Sequence, residues 1–412
     1  MQTLKKIFLI LFACLLTFMP LLSFSSCGSE ENENEEDTAK YKGTINVYNW
    51  GEYISDGSED SLDVNAEFTA KTGIKVNYTT YASNEDMYAK LKSGATGYDV
   101  IIPSDYMIKR LLDEDMLEKL NYDNIPNFEY IAEDFLNPYY DPSNEYTVPY
   151  TYGMVGIIYN SSRVSEEDVG SWDLMWNEKY KGDILQYNNS RDAFGTAMYR
   201  LGIDVNTTDE SKWREALGEL AKQKSLVQSY VMDEIFNKME SGEAAIASYY
   251  AGDYLTMSEN NEDLAFYYPS EGTNIFVDAM CIPKGSKNKA LAEEYINFML
   301  SEEIAVANAE YICYASPNTL VIDSEEYIEY MGEDWIEMLY PEGFDLKADY
   351  DKYCYKNLPP ETLSLVNELW EELKIDSSLG AWVYVGCILI ISALVIWGVS
   401  SFVVKKKRSK YY

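Results

Sequence analysis

A carboxylate set inside an apolar strand is the first residue of this sequence that calls for a chemical explanation. Asp278 lies between Val277 and Ala279 with Phe276 just before them, and a bare charge in such a setting is costly unless an opposite charge or a hydrogen-bond donor meets it. Trp50 closes an alternating run over residues 43–50 that reads as a strand carrying Asn49 and Trp50 to its carboxyl end. Glu52, just beyond, suits a helix cap or a ligand contact. Asp192 suits a ligand contact, a pair with Arg191, or a cap for the helix it begins. Acids beside aromatic faces suit a cation, since carboxylates pair with it and the rings attract it through their quadrupoles. Two acids such as Glu52 and Asp192 are also the minimum equipment of a glycosidase, the 37 tyrosines leave a receptor for ferric ion open, and a thiamine-like cation is a further alternative. Histidine is absent, which removes the usual general base and the commonest zinc ligand. Neither a glycine-rich phosphate loop nor a GxSxG elbow occurs. No catalytic residue, metal or cofactor is expected.

The elements that must hold these residues alternate between strand and helix. After the strand at 43–50, residues 62–71 read as a helix stopped by Gly73, and residues 74–81 as a second strand. A helix over 84–92 and a strand over 98–103 follow, the latter running into Ser104, Asp105 and Tyr106. Strands over 155–159, 182–186 and 244–249 alternate with helices over 192–201 and 211–223, and the last helix spans 361–374. The expected fold class is α/β. In open α/β sheets the ligand crevice lies at the strand carboxyl ends, where Trp, Tyr, Asn, Asp and Glu are crowded here.

The chain of 412 residues exceeds one ordinary core, so two lobes are expected. With 69 Asp plus Glu against 33 Lys plus Arg, the charge of −36 excludes nucleic acid as a partner and favours cations. At the start, Lys5 and Lys6 precede an apolar run over 7–22 and the sequence Cys27-Gly28-Ser29, which reads as a secretory signal. Residues 30–37 form an acidic, solvated tether. Near the end, residues 381–404 carry no charge, and at about 1.5 Å per residue they are long enough for a membrane-spanning helix. Lys405, Lys406, Lys407, Arg408 and Lys410 follow, placing that end in the cytoplasm and the globular part outside, at the cell membrane. Cys281, Cys313 and Cys354 lie in the globular part, in spacings that match neither a redox motif nor a metal site.

Ordered blocks then carry a family resemblance. They are Asn49-Trp50-Gly51-Glu52-Tyr53, Thr72-Gly73-Ile74-Lys75-Val76, Tyr81-Ala82-Ser83-Asn84-Glu85, Pro103-Ser104-Asp105-Tyr106, Lys179-Tyr180-Lys181-Gly182, Asn274-Ile275-Phe276-Val277-Asp278 and Ser316-Pro317-Asn318. In order and spacing these resemble the spermidine and putrescine binding proteins of ABC importers, over roughly residues 43–318. The resemblance implies a type II periplasmic-binding fold with crossover strands near 157–160 and 276–279, and a polyamine held in the cleft between two lobes. Lobe 1 would comprise residues 43–157 with 279–330, and lobe 2 residues 158–278. Residues 331–376 would pack on both, after a signal and lipobox over 1–27 and the tether over 28–42. The resemblance further implies that Trp50, Gly51, Glu52 and Tyr53 form one wall with Ser104 and Tyr106. Asn189 and Asp192 would face them, with Tyr250 and Phe276 as stacking aromatics, Asp278 as carboxylate anchor and Tyr314 near the end. Asn189 stands where the family often has an acid, and Tyr250 and Phe276 where it has tryptophans. Small residues before Cys27 resemble a lipobox that would make it the lipidated N-terminus. The implied partners are a polyamine, an ABC permease and ATPase, and the membrane, through an N-terminal lipid and the helix over 381–404 with a basic tail over 405–412; the protein itself is expected as a monomer. With carboxylates and no histidine in the cleft, affinity is expected to change little between pH 6 and 8.

Overall fold

The computed structural model describes residues 42–94, 97–341 and 346–375. Among the described residues nine strands run β1 (Gly43–Trp50), β2 (Ile74–Tyr81), β3 (Val100–Ile101), β4 (Thr147–Asn160), β5 (Ile184–Tyr187), β6 (Val227–Val231), β7 (Ile246–Tyr250), β8 (Leu264–Tyr267) and β9 (Ile275–Cys281). Their order is β2-β1-β3-β9-β4-β7-β5-β6, with β8 also on β4.

The first β-α-β unit shows how the local sequence builds this. Asp63 caps the helix Val64–Thr72 by accepting from the Ala66 N–H at 2.8 Å, and Gly73 ends it in the left-handed region at φ 78°. Val64 and Phe68 on one face of that helix, with Ile45, Val47 and Ile74 from the strands, are fully buried. Burial of each such side chain is worth about 1.5–3 kcal/mol. β1 pairs in parallel with β2 and β3, and β5 in parallel with β6 and β7.

Two antiparallel strands join these parallel groups. On β4, Thr147 to Met154 pair with β9, whereas Val155 onward pairs with β7 and, from Ile157, with β8. The exchange falls just ahead of the crossover expected at 157–160. The register slips between Pro149 and Thr151, where proline has no N–H to give the ladder. β9 returns the chain to β3. Two α/β lobes therefore share a pair of crossing strands, and the loops at their strand ends face one another.

The expected fold class needs one correction: the two-lobed α/β body stands, but the added membrane-spanning helix does not. Among the described residues no helix is long and apolar enough to cross a membrane. The longest near that end, Pro360–Lys374, has 15 residues, reaching about 22 Å against a hydrocarbon core of about 30 Å. It is amphipathic, burying Val366, Leu369 and Leu373 against the body. Residues 381–404, where the spanning helix was expected, lie outside the described residues, as do the signal, Cys27 and the tether up to residue 41. Cys281, Cys313 and Cys354 are all buried as thiols.

Candidate functional site

Between the lobes lies a cavity enclosing about 740 Å³ of space, counting its open mouth, and all twelve residues expected at the site line it. Trp50 ends β1 and is fixed by donating its indole N–H to the Ile102 carbonyl at 2.9 Å. Glu52 turns the chain at φ 49°, a left-handed conformation that side chains adopt only under constraint. Gly51 lets the lobes approach closely: a Cβ there would stand 2.5 Å from Oδ2 of Asp233, from the opposite lobe, and that side chain would have to shift.

Behind this wall, Asn84 spans two of the expected residues. Its amide donates to Ser104 Oγ at 3.0 Å and to the Tyr106 hydroxyl at 3.2 Å, while its Oδ1 accepts from the Ser104 N–H at 3.2 Å. Tyr106 in turn donates to Glu85 Oε1 at 3.0 Å. Ser104 precedes the helix Asp105–Asp113. Its neighbour Asp105 accepts from the Tyr350 hydroxyl at 2.6 Å and from the Val277 N–H at 3.3 Å.

On the second lobe Asn189, not Asp192, caps the helix Ser190–Arg200. Its Oδ1 accepts from the Asp192 N–H at 2.9 Å, and its amide donates to Asp192 Oδ2 at 2.7 Å. The Tyr250 hydroxyl donates to the same oxygen at 2.8 Å. Tyr250 meets Phe276 edge to face at 5.4 Å between centroids, and Tyr314 meets Tyr53 likewise at 5.0 Å. The aromatic walls thus brace each other.

Asp278, 3% exposed on β9, takes the Tyr53 hydroxyl on Oδ2 at 2.7 Å. Its Oδ1 has no hydrogen bond of acceptable geometry among the described residues, although the nearby Ser104 hydroxyl helps hold its pKa down. Burial wins, and pushes the carboxyl up to about 6. Burial also pushes Asp105 up to about 7, raises Asp192, Glu85 and Asp233, and raises Asp253 well above the usual range, with Asp233 and Glu52 adding to the last. The expectation that affinity changes little between pH 6 and 8 assumed carboxylates with ordinary pKa values, and this desolvation removes that assumption.

Seven carboxylates line the cavity, from Glu52, Glu85, Asp105, Asp192, Asp233, Asp253 and Asp278, and among the described residues no lysine or arginine does. Arg191 does not line the cavity; its guanidinium lies 4.5 Å from the centre of the Tyr355 ring, and its charge lowers the Asp192 and Glu85 carboxyls in part. Such a wall holds a molecule with several positive charges joined by apolar stretches.

Sequence reasoning missed Glu85, Asp105, Asp233, Asp253, Asn274 and Tyr355 as lining residues. Glu85, Asp105 and Asn274 were legible in part, since each sits inside a block quoted above. Asp253 and Asp233 begin or precede short helices with no pattern to mark them. Tyr355 comes from a C-terminal stretch with no motif; the Tyr139 hydroxyl donates to its carbonyl at 2.7 Å, and its side chain lines the cavity.

The fold and the site together define a two-lobed extracytoplasmic receptor for a small solute, not an enzyme. The family described as bacterial extracellular solute-binding protein matches residues 64–332, and this chain belongs to it. The spermidine/putrescine-binding periplasmic protein of Escherichia coli K12 is 36% identical over 276 residues, covering 67% of this chain and 78% of that one. A crystal structure of the spermidine/putrescine ABC transporter substrate-binding protein PotD from Streptococcus pneumoniae, in complex with calcium and HEPES, superposes with a TM-score of 0.65 at 34% identity. It covers 81% of this chain and 99% of its own. The TpPotD lipoprotein of Treponema pallidum superposes at 0.66 with 25% identity, covering 80% and 99%. The glycosidase alternative falls with this membership.

Proposed function

We propose that the protein captures a polyamine, spermidine or putrescine, outside the cytoplasm and delivers it to the permease and ATPase of an ABC importer. The observation that carries this is the aromatic-walled cavity with seven carboxylates and, among the described residues, no lysine or arginine lining it. Buried acids repel an anionic solute and serve a neutral one only as hydrogen-bond acceptors, whereas each ammonium of a polyamine also neutralises their charge. The relatives named for spermidine and putrescine support the same ligand class.

In this reading Trp50, Gly51, Glu52, Tyr53, Ser104 and Tyr106 contact the ligand from lobe 1. Asn189, Asp192 and Tyr250 contact it from lobe 2, while Phe276, Asp278 and Tyr314 line the floor between them. The lobes divide as 43–157 with 279–330 against 158–278, and residues 331–376 brace both; the partner exchange on β4 and the return on β9 support that division. Cys27, lipidated, tethers a monomer through the acidic residues that follow.

Calorimetric titration of the full chain with spermidine, putrescine and spermine, with ferric citrate as control, tests the reading. One-to-one binding of an amine at micromolar or tighter concentration supports it. Heat from ferric citrate alone, or from none of the amines, overturns it.

A further inference from the structure

The acids of the cavity come in cross-lobe company. Glu85 opens the helix Asn84–Lys92 at the exit of β2, on lobe 1. Asp192 lies in the first turn of the helix Ser190–Arg200 after β5, on lobe 2. Both line the same cavity, and the charge of Asp192 adds to burial in raising the Glu85 carboxyl.

Their direct hydrogen-bond partners are neutral. Tyr106 donates to Glu85, while Asn189 and Tyr250 donate to Asp192. Among the described residues neither acid has an ion pair. Arg191, next in sequence to Asp192, spends its donors elsewhere, on the carbonyls of Val205 at 3.3 Å and Lys356 at 3.4 Å and on Asn206 Oδ1 at 3.4 Å. Two partly or wholly buried carboxylates from opposite lobes therefore line a space that, among the described residues, no lysine or arginine lines, while the Arg191 guanidinium over the Tyr106 and Tyr355 rings offsets only part of their rise.

From this geometry we infer that Glu85 is the second carboxylate of an ammonium site at Asp192, so that one end of the ligand is clasped by one acid from each lobe. The inference rests on the polyamine reading above and names a residue that reading does not include. An ammonium carries three N–H donors, enough to bridge both acids. Without it the two like charges oppose closure, and with it they favour closure. Cleft closing thus becomes conditional on positive charge at this end, which a neutral solute of the same shape does not supply.

The test is a double-substitution cycle on the full chain, read by calorimetry with putrescine and spermidine at pH 7.5, with thermal melts to establish that each variant folds. Glu85→Gln keeps the size of the side chain and an oxygen for Tyr106, and removes only the charge. Loss of one charge-assisted contact is expected to weaken both amines by about 30-fold. Glu85→Asp, which restores the charge on a shorter arm, is expected to recover part of that loss. With Asp192→Asn already in place, Glu85→Gln is expected to cost at least about 5-fold less than it does alone, because both acids hold one group. Affinity of Glu85→Gln within about threefold of wild type, or losses that simply multiply in the double variant, overturns the inference. A wild-type chain that binds no polyamine overturns the functional reading as well, whereas a binding wild type with an equally binding Glu85→Gln overturns only this pairing.

Discussion

Asp278→Asn separates the receptor's function from its fold, because the two respond in opposite directions. The carboxyl is 3% exposed and, among the described residues, takes one hydrogen bond of good geometry, from the Tyr53 hydroxyl on Oδ2. It titrates near 3.8 in a flexible chain and about 6 when folded. A group raised in this way adds stability fully present below 3.8 and lost as pH rises through 6, so at pH 7.5 the ionised aspartate costs the empty fold about 3 kcal/mol. Asparagine does not ionise. Its oxygen still accepts from Tyr53, and its amide must find an acceptor, which returns part of the gain; a net stabilisation of about 1–2 kcal/mol remains, or a few degrees in Tm.

Binding moves the other way. An ammonium that meets an amide instead of a carboxylate in this desolvated place loses about 2–5 kcal/mol, or roughly 30-fold to several thousand-fold in Kd. The assay is a thermal melt of both proteins, empty and with saturating polyamine, at pH 7.5 and pH 5, alongside calorimetric titration at pH 7.5. The variant is expected to melt higher when empty at pH 7.5, to lose most of that advantage at pH 5, and to gain less from ligand. An Asp278→Asn variant that melts lower when empty and binds as tightly as wild type would refute the reasoning on both counts.

Lowering the pH from 8 to 6 should weaken polyamine binding, since carboxyls raised by burial must shed protons before they pair. If Asp278, near 6, is the only one coupled, the loss is about 2-fold, and if Asp105, near 7, is coupled too, about 20-fold; titration calorimetry across that range with two buffers of different ionisation heat reads both affinity and proton release. Gly51→Val places branches where even a Cβ would stand 2.5 Å from Asp233 Oδ2, so closure is expected to suffer, with affinity down about 10-fold or more and little change in the empty-state Tm; small-angle scattering with and without ligand would show whether compaction is lost. Tyr250→Phe removes the hydroxyl that donates to Asp192 at 2.8 Å, and a loss of about 3- to 10-fold in affinity is expected by calorimetry.

Much of the fold was readable because its signals are local. The helix over 62–71 and the strand over 74–81 were visible from apolar spacing and Gly73, and they emerge as Val64–Thr72 and Ile74–Tyr81. Asp278 drew notice from its apolar neighbours as well as from the family block, and it lines the cavity. Asp192 left three roles open by sequence; the structure gives the capping role to Asn189 and turns Arg191 toward Val205, Asn206 and Lys356. The premise of ordinary carboxylate pKa values was not legible, because desolvation depends on what surrounds a carboxyl, and that is invisible in a string of residues.

The sequence by itself determined the alternation of strands and helices, the acidic excess, the absence of histidine and the blocks that mark the family. These follow from residue type and short-range periodicity, which act over one or two turns of chain. Tertiary structure alone decided which acids share a space. Glu85 and Asp192 stand 107 positions apart, and Tyr355 lies 163 beyond Asp192, yet all three line one cavity. They meet because β4 and β9 cross between lobes and aim loops from both at the same gap. Only that convergence takes the carboxylates out of water, raises their pKa values, and makes a small polycation the group that restores balance.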